Sequence, residues 1–307
     1  MKHYHFLEEI HLENSWLTVG VFDGVHRGHQ EIIKKLTAGA HAQNLPSVVL
    51  TFDPHPAKVL GRGEIKLLTL PDERAELLGN MGVDVVITQP FDKDVANITA
   101  FDFMKQTKER LGVKQLVLGY DSALGKNREG NTARLTEIGL ELGYTVETVS
   151  ALSDESGVIS STEIRKLVST GNVHEAARLM ARPYRLQGVV MRGDQRGRTI
   201  GYPTANFKYA EDKLIPTGGI YACWAFVQGA KFRAAINIGI NPTFTPDKKT
   251  LSVEAYLLDF DREIYGEILE LEFVSRLRDE LTFESVESLI TQIGRDVDQT
   301  RRILGTA

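Results

Sequence analysis

The sequence predicts two domains: a doubly wound α/β domain over residues 1–182, then a small antiparallel β-barrel with a C-terminal helix over residues 183–307. Three observations carry this. The 307 residues exceed what one hydrophobic core usually serves. From residue 17 to about 182, short apolar runs alternate with longer amphipathic stretches, the rhythm of a parallel sheet covered by helices. After Arg182–Pro183 that rhythm gives way to β-rich runs punctuated by Gly, Pro and Asp.

In chain order, the first domain offers strands at Leu17–Val21, Ser47–Phe52, Val83–Ile87, Gln115–Leu118 and Thr145–Val149. Between them lie helices at Gln30–Gln43, Asp72–Met81, Ala100–Leu111 and Asn131–Leu142. The second domain offers strands at Arg185–Met191, Ile220–Val227, Phe232–Ile238, Ser252–Leu258 and Ile268–Phe273. Only Phe283–Ile303 reads as a long amphipathic helix, so runs of strands closed by one helix suggest a barrel.

Composition narrows the function classes. With 42% hydrophobic and 25% charged residues the chain can bury a substantial core. A formal charge of −5 gives no general reason to expect a nucleic-acid partner, so any bound phosphate must be met locally. Cys223 is the only cysteine, which rules out an intramolecular disulfide and suits a reducing compartment. The start, MKHYHFLEEIHLENSW, has no apolar signal core, and no run approaches the roughly 20 apolar residues of a membrane helix. A cytoplasmic protein without a membrane partner is expected. Seven of the eight histidines (His3, His5, His11, His26, His29, His41, His55) precede residue 60 and none follows His174. A proton-transfer base in the second half would therefore be a carboxylate.

The densest motif of the first half is Val19-Gly-Val-Phe-Asp-Gly-Val-His-Arg-Gly-His-Gln30, where a strand gives way to a helix. Such a junction offers unsatisfied backbone N–H groups and a positive helix end to a phosphate. His26 and His29 would add donors, and Gly28 would let a polyphosphate approach. By themselves the two histidines read equally well as surface decoration or half of a metal site. Ile159-Ser-Ser-Thr-Glu-Ile-Arg165 places hydroxyls before an apolar-periodic helix; these can serve as an N-cap, while Arg165 can fork onto phosphate oxygens. Gly119-Tyr-Asp-Ser-Ala-Leu-Gly-Lys-Asn127 fails as a Walker A loop on glycine spacing and on Asn127, yet it follows a strand and suits a ligand loop. In Thr51-Phe-Asp-Pro-His-Pro56, two prolines stiffen a loop that would bring Asp53 and His55 to the same sheet edge.

In the second half, Gly197-Arg-Thr-Ile-Gly-Tyr-Pro-Thr-Ala-Asn-Phe207 puts Thr204 and Asn206 on alternate positions of an extended segment. Two oxygen donors on one face suit Mg²⁺ carried by ATP phosphates; the bland reading is a turn into a strand. Glu254, in Ser252-Val-Glu-Ala-Tyr-Leu-Leu-Asp-Phe260, either points to water or serves as a general base for an attacking hydroxyl. Asn237-Ile-Gly-Ile-Asn-Pro-Thr-Phe244 offers a second glycine-rich loop.

The histidine-glycine-histidine string resembles the signature of the nucleotidyltransferase superfamily. The whole ordered set resembles the bacterial bifunctional riboflavin kinase/FMN adenylyltransferase family, the FAD synthetases: Gly20–Gln30, Thr51–Pro56, Gly119–Gly125, Ile159–Arg165, Gly197–Asn206, Gly219–Ala222, Asn237–Phe244, Glu254, Tyr265–Gly266 and Arg278 through the tail helix. The resemblance implies a Rossmann-like nucleotidyltransferase domain that joins FMN to AMP, and a barrel that phosphorylates riboflavin, with ATP as co-substrate and Mg²⁺ as cofactor. It implies that His26, His29, Ser161, Thr162 and Arg165 meet ATP phosphates, His29 also counting as catalytic. Phe22, Asp23 and Gly24 would shape the floor, and Asp121 would approach the flavin or nucleotide. In the kinase, Thr204 and Asn206 would hold Mg–ATP, Glu254 would activate the ribityl hydroxyl, and Arg278 would lie near the flavin. FMN phosphate is already a nucleophile, so adenylyl transfer needs no Ser or Cys nucleophile and Cys223 is expected to be structural.

Two departures from the family pattern stand out. Asp121-Ser-Ala-Leu-Gly125 lacks the usual aromatic and basic pattern, which would weaken flavin contact, and Ala255-Tyr256 follows Glu254 where a histidine is common. The first leaves open a kinase with a scaffolding first domain. A flavin sensor without turnover is disfavoured by Glu254, since binding alone needs no base.

Overall fold

The computed structural model describes residues 1–155, 157–193, 196–240 and 251–305. Two compact units emerge, Met1–Ser161 and Thr162–Ala307.

In the first unit the strands Lys2–Tyr4 (β1), Ser15–Val19 (β2), Ser47–Asp53 (β3), Val85–Pro90 (β4), Val113–Gly119 (β5) and Thr145–Val149 (β6) form one parallel sheet in the order β1-β4-β3-β2-β5-β6. The helices are Arg27–Ala42 (α1), Pro56–Val59 (α2), Pro71–Asn80 (α3), Lys93–Asn97 (α4), Ala100–Leu111 (α5) and Thr132–Leu142 (α6). Alternate strand residues feed two cores. Leu17, Val48, Leu50, Ile87, Leu116 and Leu118 pack with Met104 and Leu111 of α5 and Leu135 and Ile138 of α6. Trp16, Val49, Val86 and Val117 pack with Ile33, Leu36 and Ala40 of α1 and Ala75 and Leu78 of α3. Both faces are covered, which is why these strands read as continuous apolar runs.

Because β2 has β3 on one side and β5 on the other, the winding reverses there, and a doubly wound sheet offers a ligand crevice at the carboxyl ends of those strands. The segments from Gly20 and from Tyr120 leave the sheet at that crevice. The helix α5 has the expected bounds because both ends are locally encoded: the Thr99 side chain accepts from the Asp102 N–H, and Gly112 turns left-handed at φ 57°. β1 escaped the sequence reading; it is a three-residue strand paired only at the sheet edge with β4.

A short antiparallel pair, Ser153–Asp154 (β7) and Gly157–Val158 (β8), precedes the helices Ser161–Ser169 (α7) and Val173–Met180 (α8). The second unit continues with Tyr184–Met191 (β9), Arg196–Thr199 (α9), Ala205–Tyr209 (β10), Gly219–Val227 (β11), Ala230–Ile240 (β12), Leu251–Leu257 (β13), Ile268–Arg278 (β14) and Val286–Leu304 (α10). The six strands close into an antiparallel barrel, β10-β13-β12-β11-β14-β9. Buried residues such as Val190, Phe207, Tyr221, Ile236, Val253 and Leu271 fill it. Cys223 is wholly buried there, and burial holds its thiol well above the ordinary range. The helix α10 packs outside on β11, β12 and β14, and α8 packs on β14 and β9. The division between compact units therefore precedes α8, whereas residue 182 lies just before β9. The segment 241–244 of the Asn237–Phe244 motif falls outside the described residues.

Candidate active sites

At the first site the chain leaves β2 and turns through Phe22 (φ 51°), Gly24 (φ 82°) and Val25 (φ 37°) before α1 begins. Three left-handed residues in four, two of them not glycine, are a strained arrangement that surrounding contacts must hold. Asp23 supplies part of the hold. Only 1% exposed, its carboxylate accepts from Leu68 N–H at 3.0 Å, Thr69 N–H at 2.8 Å and the Thr69 hydroxyl at 3.0 Å. The Thr69 hydroxyl in turn accepts from Gly24 N–H at 2.9 Å. Thus Asp23 and Gly24 brace the turn through Leu68 and Thr69, while buried Phe22 meets His29 edge-on at 5.2 Å.

His26 caps α1, its Nδ1 accepting from His29 N–H at 3.4 Å. An accepting Nδ1 leaves the proton on Nε2, so a neutral His26 still presents a donor. The His26 and His29 rings stack at 3.6 Å beside the helix N-terminus. The sequence reading gave Gly28 the task of admitting phosphate; a Cβ there would first meet the His26 ring, at 3.2 Å. Ser161, the first residue of α7, donates its hydroxyl to the Asp23 carbonyl at 2.8 Å, which ties the second motif to the first. Thr162 is exposed and Arg165 half-buried on the same helix.

Asp121 is exposed on the turn after β5, its carbonyl accepting from Arg128 Nη2 at 2.9 Å. Ser122 stabilises that turn by accepting from Gly119 N–H at 3.0 Å, and Gly125 (φ 74°) lies so close to Ala100 that a Cβ would be 2.4 Å from its nitrogen. His55 is absorbed locally, capping α2 through the Ala57 N–H at 3.1 Å. Sequence reasoning missed Arg74, a charged residue of α3 that is 1% exposed and donates to the Val21 and Phe52 carbonyls. An amphipathic helix pattern gave no signal for it.

The second site is a row across the barrel. Met191 pairs with Asn206, Asn206 with Glu254, Glu254 with Asn237, Asn237 with Ile220, and Ile220 with Arg278. Their chain neighbours Val190, Phe207, Ala255, Ile236 and Tyr221 are buried within, so the row stands on the outer surface. Directly opposed residues have Cβ atoms about 4.5–5.5 Å apart, which puts the Asn206 and Asn237 amides beside the Glu254 carboxylate. Thr204 immediately precedes β10. A Cβ on Gly197 would lie 3.4 Å from the Thr204 hydroxyl, and one on Gly193 would lie 2.2 Å from Asn206 Nδ2. The absence of a side chain at Gly193 thus leaves room for the Asn206 carboxamide, whereas Gly197 chiefly admits the Tyr202 carbonyl, 2.2 Å from where its Cβ would be. Tyr202 closes one side, meeting Tyr256 edge-on at 5.3 Å, with its hydroxyl 3.4 Å from where a Gly294 Cβ would be on α10. Tyr256, the second residue after Glu254, is half-buried against Tyr202, and burial raises its phenol.

Arg278 ends β14 with its guanidinium forked onto Asp296 of α10, Nε at 3.0 Å and Nη2 at 2.6 Å. It ties the strand end to the helix. Asn237 was flagged only as the start of a turn motif; register alone brings it next to Glu254.

Two family models match the chain, one described as FAD synthetase over residues 8–163 and one as riboflavin kinase over residues 180–304. The bifunctional riboflavin kinase/FMN adenylyltransferase of Listeria monocytogenes is 40% identical over 290 residues, spanning 94% of this chain and 92% of the relative. That of Bacillus subtilis is 34% identical over 306 residues, 98% and 96% of the two chains. A crystal structure described as a macrolide-efflux protein from Streptococcus pneumoniae is similar at a TM-score of 0.89 and 32% identity, covering 98% of each chain. Among the described residues of the present chain, no helix is long and apolar enough to cross a membrane.

Proposed function

The chain belongs to the bifunctional riboflavin kinase/FMN adenylyltransferase family, and on that footing we propose how its residues divide the work. It uses ATP to phosphorylate riboflavin to FMN and then adenylylates FMN to FAD. We assign the adenylyltransferase to residues 1–182 and the kinase to residues 183–307, in the cytoplasm.

The kinase assignment rests on one observation above the rest: Glu254 stands between Asn206 and Asn237 on the outer row of the barrel. Glu254 takes the proton from the ribityl hydroxyl as that oxygen bonds to the γ-phosphorus; the bridge to the β-phosphate breaks and ADP leaves. Thr204 and Asn206 offer hard oxygen donors, Asn206 beside space that a side chain at Gly193 would fill, a donor set that suits Mg²⁺. They would hold the ion with the ATP phosphates, where it supplies charge neutralisation. Arg278, whose guanidinium ties the end of β14 to Asp296 of α10, lies near the flavin.

In the adenylyltransferase an ionised oxygen of FMN phosphate attacks the α-phosphorus of ATP and pyrophosphate leaves, so no base is needed. The α1 N-terminus, His26 Nε2–H, His29, Ser161, Thr162 and Arg165 stabilise the phosphate charge, and Asp121 approaches the flavin from its exposed turn. The test is chromatographic, with Mg–ATP and either riboflavin or FMN. FAD from both substrates is expected; FMN accumulating without FAD would remove the adenylyltransferase assignment, and no product would remove both.

A further inference from the structure

We propose that Arg74 is a positioning residue for adenylyl transfer, fixing from beneath the sheet edge the two backbone segments that form the nucleotide crevice. The inference rests on the adenylyltransferase reading above and concerns a residue without contact to substrate.

Arg74 is wholly buried, at 1% exposure, on the same helix, PDERAELLGN, that sends Ala75 and Leu78 into the core. A guanidinium in such a place needs compensation from oxygen acceptors. Two come from backbone on different segments: Nη1 donates to the Val21 carbonyl at 2.6 Å and Nη2 to the Phe52 carbonyl at 3.4 Å. Nε is buried without a hydrogen-bond partner among the described residues. Burial pulls the group below its ordinary value, while Asp23 and Asp53 favour its charge. Arginine titrates so far above neutrality that it stays charged.

The two carbonyls are informative. Val21 opens the strained turn that contains Phe22, Gly24 and Val25; Phe52 opens the Asp53–Pro56 segment. The Val21 carbonyl also accepts from the Thr51 hydroxyl at 3.0 Å, so it is held from two sides. A planar trans peptide sends its N–H opposite to its C=O, hence drawing Val21 and Phe52 carbonyls inward turns the Phe22 and Asp53 N–H groups the other way. Asp23, held by Leu68 and Thr69, secures the next residue of the same turn. One planar fork can span two carbonyls of fixed spacing; an ammonium, a point donor on a flexible stem, cannot reproduce that geometry.

The experiment uses the full chain with Arg74→Lys and Arg74→Ala, following FAD formation from FMN at varied ATP and riboflavin phosphorylation in the same preparations. Displacing the turn by an ångström predicts an adenylyltransferase kcat/KM lower by about 100-fold in both variants, with kinase activity unchanged. Millimolar guanidinium should restore Arg74→Ala by at least about tenfold, filling the vacated site, and leave Arg74→Lys and the parent chain unmoved. FAD formation at parental efficiency in either variant would overturn the proposal, the Lys result because charge alone would then suffice. So would loss of activity in both variants accompanied by loss of the first unit's near-ultraviolet circular dichroism, which would make Arg74 a folding residue only. A parental chain unable to make FAD from FMN would instead sink the reading on which this rests.

Discussion

Replacing Gly193 by alanine should disable the kinase while leaving the fold nearly untouched. The new Cβ would lie 2.2 Å from Asn206 Nδ2 where ordinary contact begins at 3.4 Å, so the carboxamide must retreat by roughly 1.2 Å. That amide is the far end of a flexible side chain on the barrel's outer face, so the retreat costs little stability. Catalysis is less forgiving: an ångström of displacement in a positioned group costs about 100-fold in rate. Steady-state phosphorylation of riboflavin should therefore fall by that factor in kcat/KM, while adenylylation of supplied FMN and the thermal midpoint stay close to parental values. Combining Gly193→Ala with Asn206→Ala should add nothing to Asn206→Ala alone, because both act through one amide. Parental kinase efficiency in Gly193→Ala, or full additivity in the pair, would refute the placement of Asn206 in the reaction.

Glu254→Gln should lower riboflavin phosphorylation by roughly 100- to 10,000-fold and spare FAD formation from FMN, since only the alcohol must lose a proton. Asp296→Ala removes the acceptor that the Arg278 guanidinium and the Gln292 amide reach at 2.6 Å and 2.9 Å; with Arg278 half-buried and still bonded to the Asp279 carbonyl, the loss in denaturant unfolding of the barrel unit should be about 3 kcal/mol, the low end for a broken buried pair. His3 should make stability rise with pH. Burial, His5 and Arg74 lower its pKa against the opposing effect of Asp72, so between that lowered value and the ordinary 6.5 the unfolded chain binds a proton that the folded chain does not. His3→Gln, able to keep a bond to Thr88, should flatten the rise in urea midpoint across this window, and an unchanged slope would remove His3 as its source.

The elements legible from the chain are those whose signals are local. Thr99 and Gly112 mark both ends of α5, and the parallel strands announce themselves because both of their faces are covered. The glycine and histidine strings were equally local, since the strand-to-helix turn from Gly20 to His29 lies within a few residues of sequence. What the tertiary structure decided was anything that needs two distant segments. Asn206, Glu254 and Asn237 lie on three strands, and only the antiparallel register makes them neighbours on the outside of the barrel. Asp23 reads as part of the floor of the first site, and only the fold shows that its carboxylate braces the turn by accepting from the distant backbone of Leu68 and Thr69. Arg74 drew no notice in the sequence and is buried, because the carbonyls of Val21 and Phe52 that accept from it belong to other parts of the chain. Periodicity and capping are properties of consecutive residues and survive in one dimension; register and the satisfaction of buried polar groups are pairings across the fold, fixed only when the chain closes on itself.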